Sequence, residues 1–183
     1  MMLGAPGAGK GTQGSRLASR AGIAHVSTGD LFRDAVNIES PAGQRAEAYL
    51  KTGQLVPDQV VLQLVEEYLA DLEGSDICLD GFPRTYQQAV ALDRVLSRFG
   101  LSIAVVLHLY VEDNIALERL VERGRADDTI QTARYRMDVY HATTEPLIKY
   151  YNEIGLLSQI DGSGDPDDVE SRVWDVVKMA LNS

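Results

Sequence analysis

The residues best equipped for chemistry come first in the chain. Gly4-Ala5-Pro6-Gly7-Ala8-Gly9-Lys10-Gly11-Thr12 matches the pattern G-x-x-x-x-G-K. Glycines let successive backbone N–H groups turn toward one anion without a Cβ in the way. A helix opening immediately afterwards adds its own unpaired amides. Lys10 can reach the β- and γ-phosphates of a bound triphosphate and offset charge as the bond breaks. Gly11 stands where Ser or Thr usually ligates Mg²⁺, and Thr12 follows one residue later. A metal here is expected to be held largely through water and phosphate oxygens. The bland alternative, a glycine-rich turn with no ligand, is disfavoured by the complete motif and its place between a strand and a helix.

A phosphate loop serves switches, motors and kinases alike, so the other charges must choose. Arg119, Arg123, Arg125, Arg134 and Arg136 crowd one segment of a chain with net charge −10. Arg119 and Arg123 are spaced to share a helix face, as are Arg136 and Tyr140. A solvated face neutralised by Glu118 and Glu122 is the alternative. Moving a phosphoryl group between two nucleotides gathers many negative charges, and guanidinium forks suit that load. Arg33 and Arg84 add to the set. Asp80, expected at the carboxyl end of a strand, could orient Mg²⁺-bound water there, or merely cap the turn at Gly81. His25, His108 and His141 lack metal spacing, and none is assigned to catalysis; His108 is expected to be a packed strand residue.

These groups need a scaffold. Short apolar runs alternate with amphipathic stretches, which points to an α/β fold, a parallel sheet flanked by helices. Strands are expected at Met1–Leu3, Ala24–Val26, Ile77–Leu79, Ile103–Val111 and Leu156–Ile160. Helices are expected from the phosphate loop to about Arg20, then over 29–36, 42–52, from Asp58, 87–99, 115–123, 131–153 with a kink or restart at Pro146, and from Pro166 to Leu181. Only Met1, Met2 and Leu3 precede Gly4, so the first strand is expected to be very short. The 183 residues, 45% hydrophobic and 24% charged, suit one globular domain. The acidic balance argues against nucleic acid as partner. One cysteine, Cys78, excludes an intramolecular disulfide and a thiolate zinc site, and fits a reducing cytoplasm. No run approaches the roughly 20 apolar residues of a membrane span, and the first residues lack a secretory leader.

Several segments together resemble the adenylate kinase family over nearly the whole chain. They are Gly4 to Gln13, Ser27-Thr28-Gly29-Asp30-Leu31-Phe32-Arg33, Gly53-Gln54-Leu55-Val56-Pro57-Asp58, and Leu79-Asp80-Gly81-Phe82-Pro83-Arg84 with Gln88. Glu118-Arg119-Leu120, Arg125-Ala126-Asp127-Asp128-Thr129, and Arg136 with Tyr140 complete the set. The phosphate loop is the least specific; Asp-Gly-Phe-Pro-Arg with Ser-Thr-Gly-Asp and Arg-x-Asp-Asp, in this order, marks nucleoside monophosphate kinases.

The resemblance implies a P-loop fold with core segments 1–26, 57–122 and 130–183, an AMP-binding insert at 27–56 and a short lid at 123–129. It implies that Gly7, Ala8, Gly9, Lys10, Gly11 and Thr12 hold the ATP phosphates, with Arg119, Arg123 and Gly164 also on ATP. Thr28, Arg33, Gln54, Leu55, Val56, Gly81, Phe82, Pro83, Arg84 and Gln88 would form the AMP site. Arg125 and Arg136 would reach phosphates from the lid side. Lys10, Arg84, Arg123, Arg125 and Arg136 would carry the catalysis, with Mg²⁺ accompanying ATP and Asp80 touching it through water. Gly29, Gly53 and Gly124 are candidate hinges. The expected activity is ATP + AMP = 2 ADP in a cytoplasmic monomer. A UMP/CMP kinase on the same fold is the rival, disfavoured by Thr28 and Gln88. A nucleotide switch is the other, disfavoured because no Asn-Lys-x-Asp segment occurs.

Overall fold

The structure is a computed structural model that describes residues 1–72, 75–125 and 128–181. Ala126 and Asp127 of the expected lid lie outside the described residues. Five strands form a parallel sheet: β1 (Met2–Leu3), β2 (Ala24–Ser27), β3 (Ile77–Asp80), β4 (Val106–Tyr110) and β5 (Leu157–Asp161), in the order β2-β3-β1-β4-β5. The two-residue β1 is central. Met2 pairs with Asp80 on one side and Leu107 on the other. The Met1 backbone extends the ladder at its start, donating to Val105 O at 2.9 Å and accepting from Leu107 N at 2.8 Å.

Strands buried on both faces read as continuous apolar runs, and β4 does. Leu107 and Leu109 pack with Met2, Leu17, Val169, Val173 and Val177 on one face. Val106 packs with Leu3, Ala89, Leu147 and Tyr151 on the other. β4 is shorter than its apolar run because it pairs only where β1 and β5 lie alongside.

The described helices are α1 (Lys10–Ala21), α2 (Thr28–Asn37), α3 (Pro41–Thr52), α4 (Asp58–Asp71), α5 (Tyr86–Arg98), α6 (Asp113–Arg123), α7 (Ile130–Val139), α8 (Pro146–Glu153) and α9 (Pro166–Leu181). Val169, Val173 and Val177 recur every four residues, so α9 buries one stripe. Its Asp167 and Glu170 take Arg16 of α1 at 2.6 and 3.0 Å. The helical stretch expected over 131–153, with a kink or restart at Pro146, is α7, a π-turn at Tyr140–Thr144, and α8, which restarts at Pro146. Pro146 has no N–H to continue the ladder, and Glu145 N reaches back five residues to Tyr140 O at 2.9 Å.

Chain order along the sheet reverses on either side of β1. Ligands of open α/β sheets sit beyond the carboxyl ends of the strands at such a point, and the phosphate loop follows β1 there.

Candidate functional site

Between β1 and α1 the loop folds tightly. Gly4, Gly7 and Gly9 have φ of 144°, 86° and 96°, a region costly for residues with a Cβ. At Gly7 a Cβ would also stand 2.0 Å from Ala116 O, so glycine is required there on space as well. Gly9 caps α1 without a side-chain hydrogen bond, leaving the first helical amides for a ligand. Lys10 Nζ donates to Gly4 O and Ala5 O, both at 2.8 Å. Burial pushes its pKa down to about 8; Asp80 opposes the shift, while Arg84 and Arg123 add to it.

One cleft of about 870 Å³ opens over this loop. Lys10, Arg33, Arg84, Arg119, Arg123, Arg125 and Arg136 all line it, with Asp30 and Asp80. A protein of net charge −10 thus places seven of its seventeen Lys and Arg residues around one space. Clefts lined by one sign of charge concentrate ligands of the other.

The cations are held in place by partners. Asp128, its side chain wholly buried, receives Arg123 Nε at 2.7 Å and Nη2 at 2.8 Å. It also receives Arg136 Nη1 at 2.9 Å. Burial pushes the Asp128 carboxyl up, but the hydrogen bonds and charge of Arg123, with the charge of Arg136, hold it below the ordinary aspartate value. Asp30 bonds Arg33 and stands 3.6 Å from Arg125. Arg119 Nη1 donates to Gly162 O at 3.1 Å, beside Gly164 on the cleft wall.

Arg84 follows a cis Phe82–Pro83 peptide. Its backbone is pinned from two sides: its N–H donates to Gln88 Oε1 at 2.6 Å, and its carbonyl accepts from Thr144 Oγ1 at 2.9 Å. The π-turn brings Thr144 to that bond. Arg84 Nε donates to Gly81 O at 2.7 Å, and burial lowers the guanidinium pKa. Gly81 has φ 77°, and a Cβ there would meet Thr28 Oγ1 at 2.8 Å.

Most expected site residues line the cleft: Gly7 to Thr12, Arg33, Gln54, Leu55, Gly81 to Arg84, Arg119, Arg123, Arg125, Arg136, Gly164 and Asp80. Thr28, Val56 and Gln88 do not. Val56 turns into the apolar core with Phe32 and Val61, because a valine gains more there. Thr28 is buried behind Gly81. Gln88 is 2% exposed, with Nε2 on Asp58 Oδ1 at 2.7 Å and Oε1 on Arg84 N. Both ends of its amide are thus engaged within the protein. Arg134 belongs to an outer groove with Leu117, Val121 and Ile130, away from the other arginines. Tyr140 keeps helical dihedrals and its N–H donates to Arg136 O, so the two follow one another across the end of α7, and both line the cleft. Gly29 lies inside α2, whereas Gly53 and Gly124 end α3 and α6 in the left-handed conformation.

Sequence reasoning missed Asp30, Asp58 and Asp128 as organisers of the arginines and of Gln88. It also missed His25, which lines the cleft 3.9 Å from Asp80. A glycine inside α1 at position 14, opposite His25, was the available signal.

A family model described as adenylate kinase matches residues 2–156. The chain belongs to the adenylate kinase family. Among curated adenylate kinases it is 44% identical over 183 residues to that of Deinococcus radiodurans, covering 94% of this chain and 93% of that protein. It is 44% identical over 177 residues to that of Thermus thermophilus, with the same coverage. The Micrococcus luteus protein is 41% identical over 182 residues, covering 97% and 89%. Its activity is that of a phosphotransferase acting between adenine nucleotides, and the UMP/CMP kinase rival is not favoured. The parallel sheet flanked by helices is the fold expected of this family. Among the described residues no helix is long and apolar enough to cross a membrane.

Proposed function

We propose that the cleft takes Mg·ATP on the phosphate loop and AMP against the 27–56 insert and the Gly81–Arg84 turn, and passes the γ-phosphoryl group between them, balancing the adenine nucleotides. The observation that carries this reading is the set of cations lining one cleft, Lys10, Arg33 and Arg84 among them.

Gly7 to Thr12 would hold the ATP phosphates, with Arg119 and Gly164 beside the base. Thr28, Arg33, Gln54, Leu55, Val56, Gly81, Phe82, Pro83, Arg84 and Gln88 would hold AMP, Thr28 and Val56 by backbone or by packing. An AMP phosphate oxygen attacks the γ-phosphorus in line, so no side-chain nucleophile is needed. Lys10, Arg84, Arg123, Arg125 and Arg136 offset the charge on the transferring group, and catalysis is positioning and electrostatics. When phosphate enters, Lys10 leaves its two carbonyls for stronger charge-assisted bonds. Arg125, across from Asp30, and Arg136, which donates to Leu50 O at 3.3 Å, link the lid side to the insert. Closure of 123–129 and 27–56 over both nucleotides excludes water and prevents hydrolysis.

Asp80 fits a hydrated Mg²⁺. Its side chain, 10% exposed, faces the cleft at the end of β3. One carboxylate plus phosphates and water is an ordinary Mg²⁺ environment. An ion held there through water by Asp80 would supply neutralisation of phosphate charge. A cytoplasmic monomer is part of the proposal, since closure needs an unobstructed lid.

A coupled assay with Mg·ATP and each of AMP, GMP, CMP and UMP tests the reading. AMP turnover is expected to dominate; preference for CMP or UMP overturns it.

A further inference from the structure

Two features of the cleft floor have no part in the reaction as described. His25 stands on β2 in register with Cys78, and Ser27 is in register with Asp80. Residues two apart on a strand share a face, so the histidine lies one step below the carboxylate. Its Nε2 is buried and has no hydrogen-bond partner. Asp80 Oδ2 is 3.9 Å away, too far for a hydrogen bond. A buried polar atom left unpaired costs about 1–3 kcal/mol, and such an atom beside a reaction centre needs a reason.

The room around this ring is preserved by a residue that helices disfavour. Gly14 lies in the interior of α1, where glycine costs about 1 kcal/mol relative to alanine. A Cβ at position 14 would stand 2.7 Å from His25 Nε2 and 3.0 Å from its Cδ2. Gly11, three residues earlier on the same helix face, has its Cβ position 3.6 Å from Asp80 Oδ2. The helix is thus bare of necessity against the imidazole, whereas against the carboxylate a Cβ would make only an ordinary contact. A carboxylate has only acceptors, so a hydrogen bond between the two is one that Nε2–H donates.

We infer that His25 is a positioning residue for Asp80: its Nε2–H closes onto Oδ2 when the metal–nucleotide loads, and this turns Oδ1 to the metal-bound water. Catalytic hydrogen bonds are often long before loading and shorten with it. A closing movement of under an ångström makes this one and satisfies the unpaired nitrogen. The inference rests on the reading of Asp80 as the residue that holds the metal through water. Partners behind a metal-holding group change metal affinity by about 10–100-fold.

The test measures Mn²⁺ binding by electron paramagnetic resonance to the full chain carrying the five-phosphate-linked diadenosine. Binding of the metal-free mimic is measured by calorimetry, and folding by thermal melting. His25→Leu is expected to weaken Mn²⁺ about 10-fold with metal-free binding unchanged. His25→Gln, which keeps an N–H near the Nε2 position, is expected to recover most of that loss. Gly14→Ala, which pushes on the ring from the helix side, is expected to weaken Mn²⁺ in the same direction, and it carries the test if His25→Leu does not fold. Unchanged Mn²⁺ affinity in the folded variants overturns the inference, as does equal loss of metal-free binding, which marks a packing role. Asp80→Asn separates the two levels. If it weakens Mn²⁺ while the His25 and Gly14 variants do not, the inference alone falls; if it leaves Mn²⁺ unchanged, the metal reading falls and the inference with it.

Discussion

Asp128 receives both forks of Arg123, Nε at 2.7 Å and Nη2 at 2.8 Å, on a carboxylate with no exposed surface. The same carboxylate takes Arg136, so one acid orients two of the arginines proposed to meet phosphate. Asp128→Asn is expected to lower kcat by about 10-fold or more through lost orientation. Removing one partner of a fully buried pair costs about 3–5 kcal/mol. Arg123 is 38% and Arg136 16% exposed in the side chain, so about 1–3 kcal/mol is expected here after solvent screening. The folded pKa of Asp128 is depressed, so its stabilisation is present above the ordinary aspartate value and lost as pH falls through the lower folded one. Urea unfolding at neutral and acid pH checks this. Equal stability of parent and variant at neutral pH would sink the claim.

Lys10→Met is expected to cost about 10²-fold or more in kcat, because the charge acts most strongly in the transition state. The fold should survive. Turnover within a few-fold of the parent in the coupled assay removes Lys10 from the mechanism.

Lys10 also sets a pH dependence. With its pKa near 8 in the unliganded protein, kcat/KM for Mg·ATP is expected to fall as pH rises through about 8. Bound phosphate raises that pKa, so kcat should hold to higher pH. For folding the sign is opposite. Between about 8 and 10.5 the folded chain binds fewer protons at Lys10 than the unfolded one, so this residue's contribution to stability rises with pH. A flat kcat/KM profile from pH 7 to 9.5 contradicts the first statement.

Two adenosines joined by five phosphates should raise the melting temperature more than ATP at equal concentration. Each tenfold gain in affinity adds about 1.4 kcal/mol to the native state. Excess AMP and excess ATP should each reduce the shift, because the mimic spans both places. Competition by ATP alone would leave only one nucleotide in the cleft.

Gln88 makes one bond with each end of its amide, which leaves one lone pair and one N–H unused. Adenine N1 accepts and its N6 amino group donates, so that remainder matches adenine if closure turns the amide to the cleft. Gln88→Ala is expected to raise KM for AMP about 10-fold or more, to leave KM for ATP nearly unchanged, and to narrow the preference for AMP over CMP. A parallel rise for all four monophosphates would make Gln88 only an anchor of the Arg84 backbone.

The sequence by itself determined the parts whose cause is local. The phosphate loop was legible because its glycines and the lysine act through backbone shape within nine residues. Helix and strand positions were legible because burial on a parallel sheet imposes apolar runs and stripes, as in β4 and α9. The boundaries moved where neighbours decide them: β4 spans the five residues that pair with β5, and the π-turn ahead of the restart at Pro146 was not legible. Side-chain partners were decided only by the tertiary structure. Asp128 lies five residues from Arg123 and eight from Arg136, spacings that say nothing of one shared carboxylate. Val56 turned to the core and Arg134 to the outer surface although both stand among site residues. The distance between His25 and Asp80 exists only because β2 and β3 are adjacent and α1 lies over them with a glycine at the crossing. Spacing along a chain fixes direction within one element, whereas what two elements share is set by how they pack.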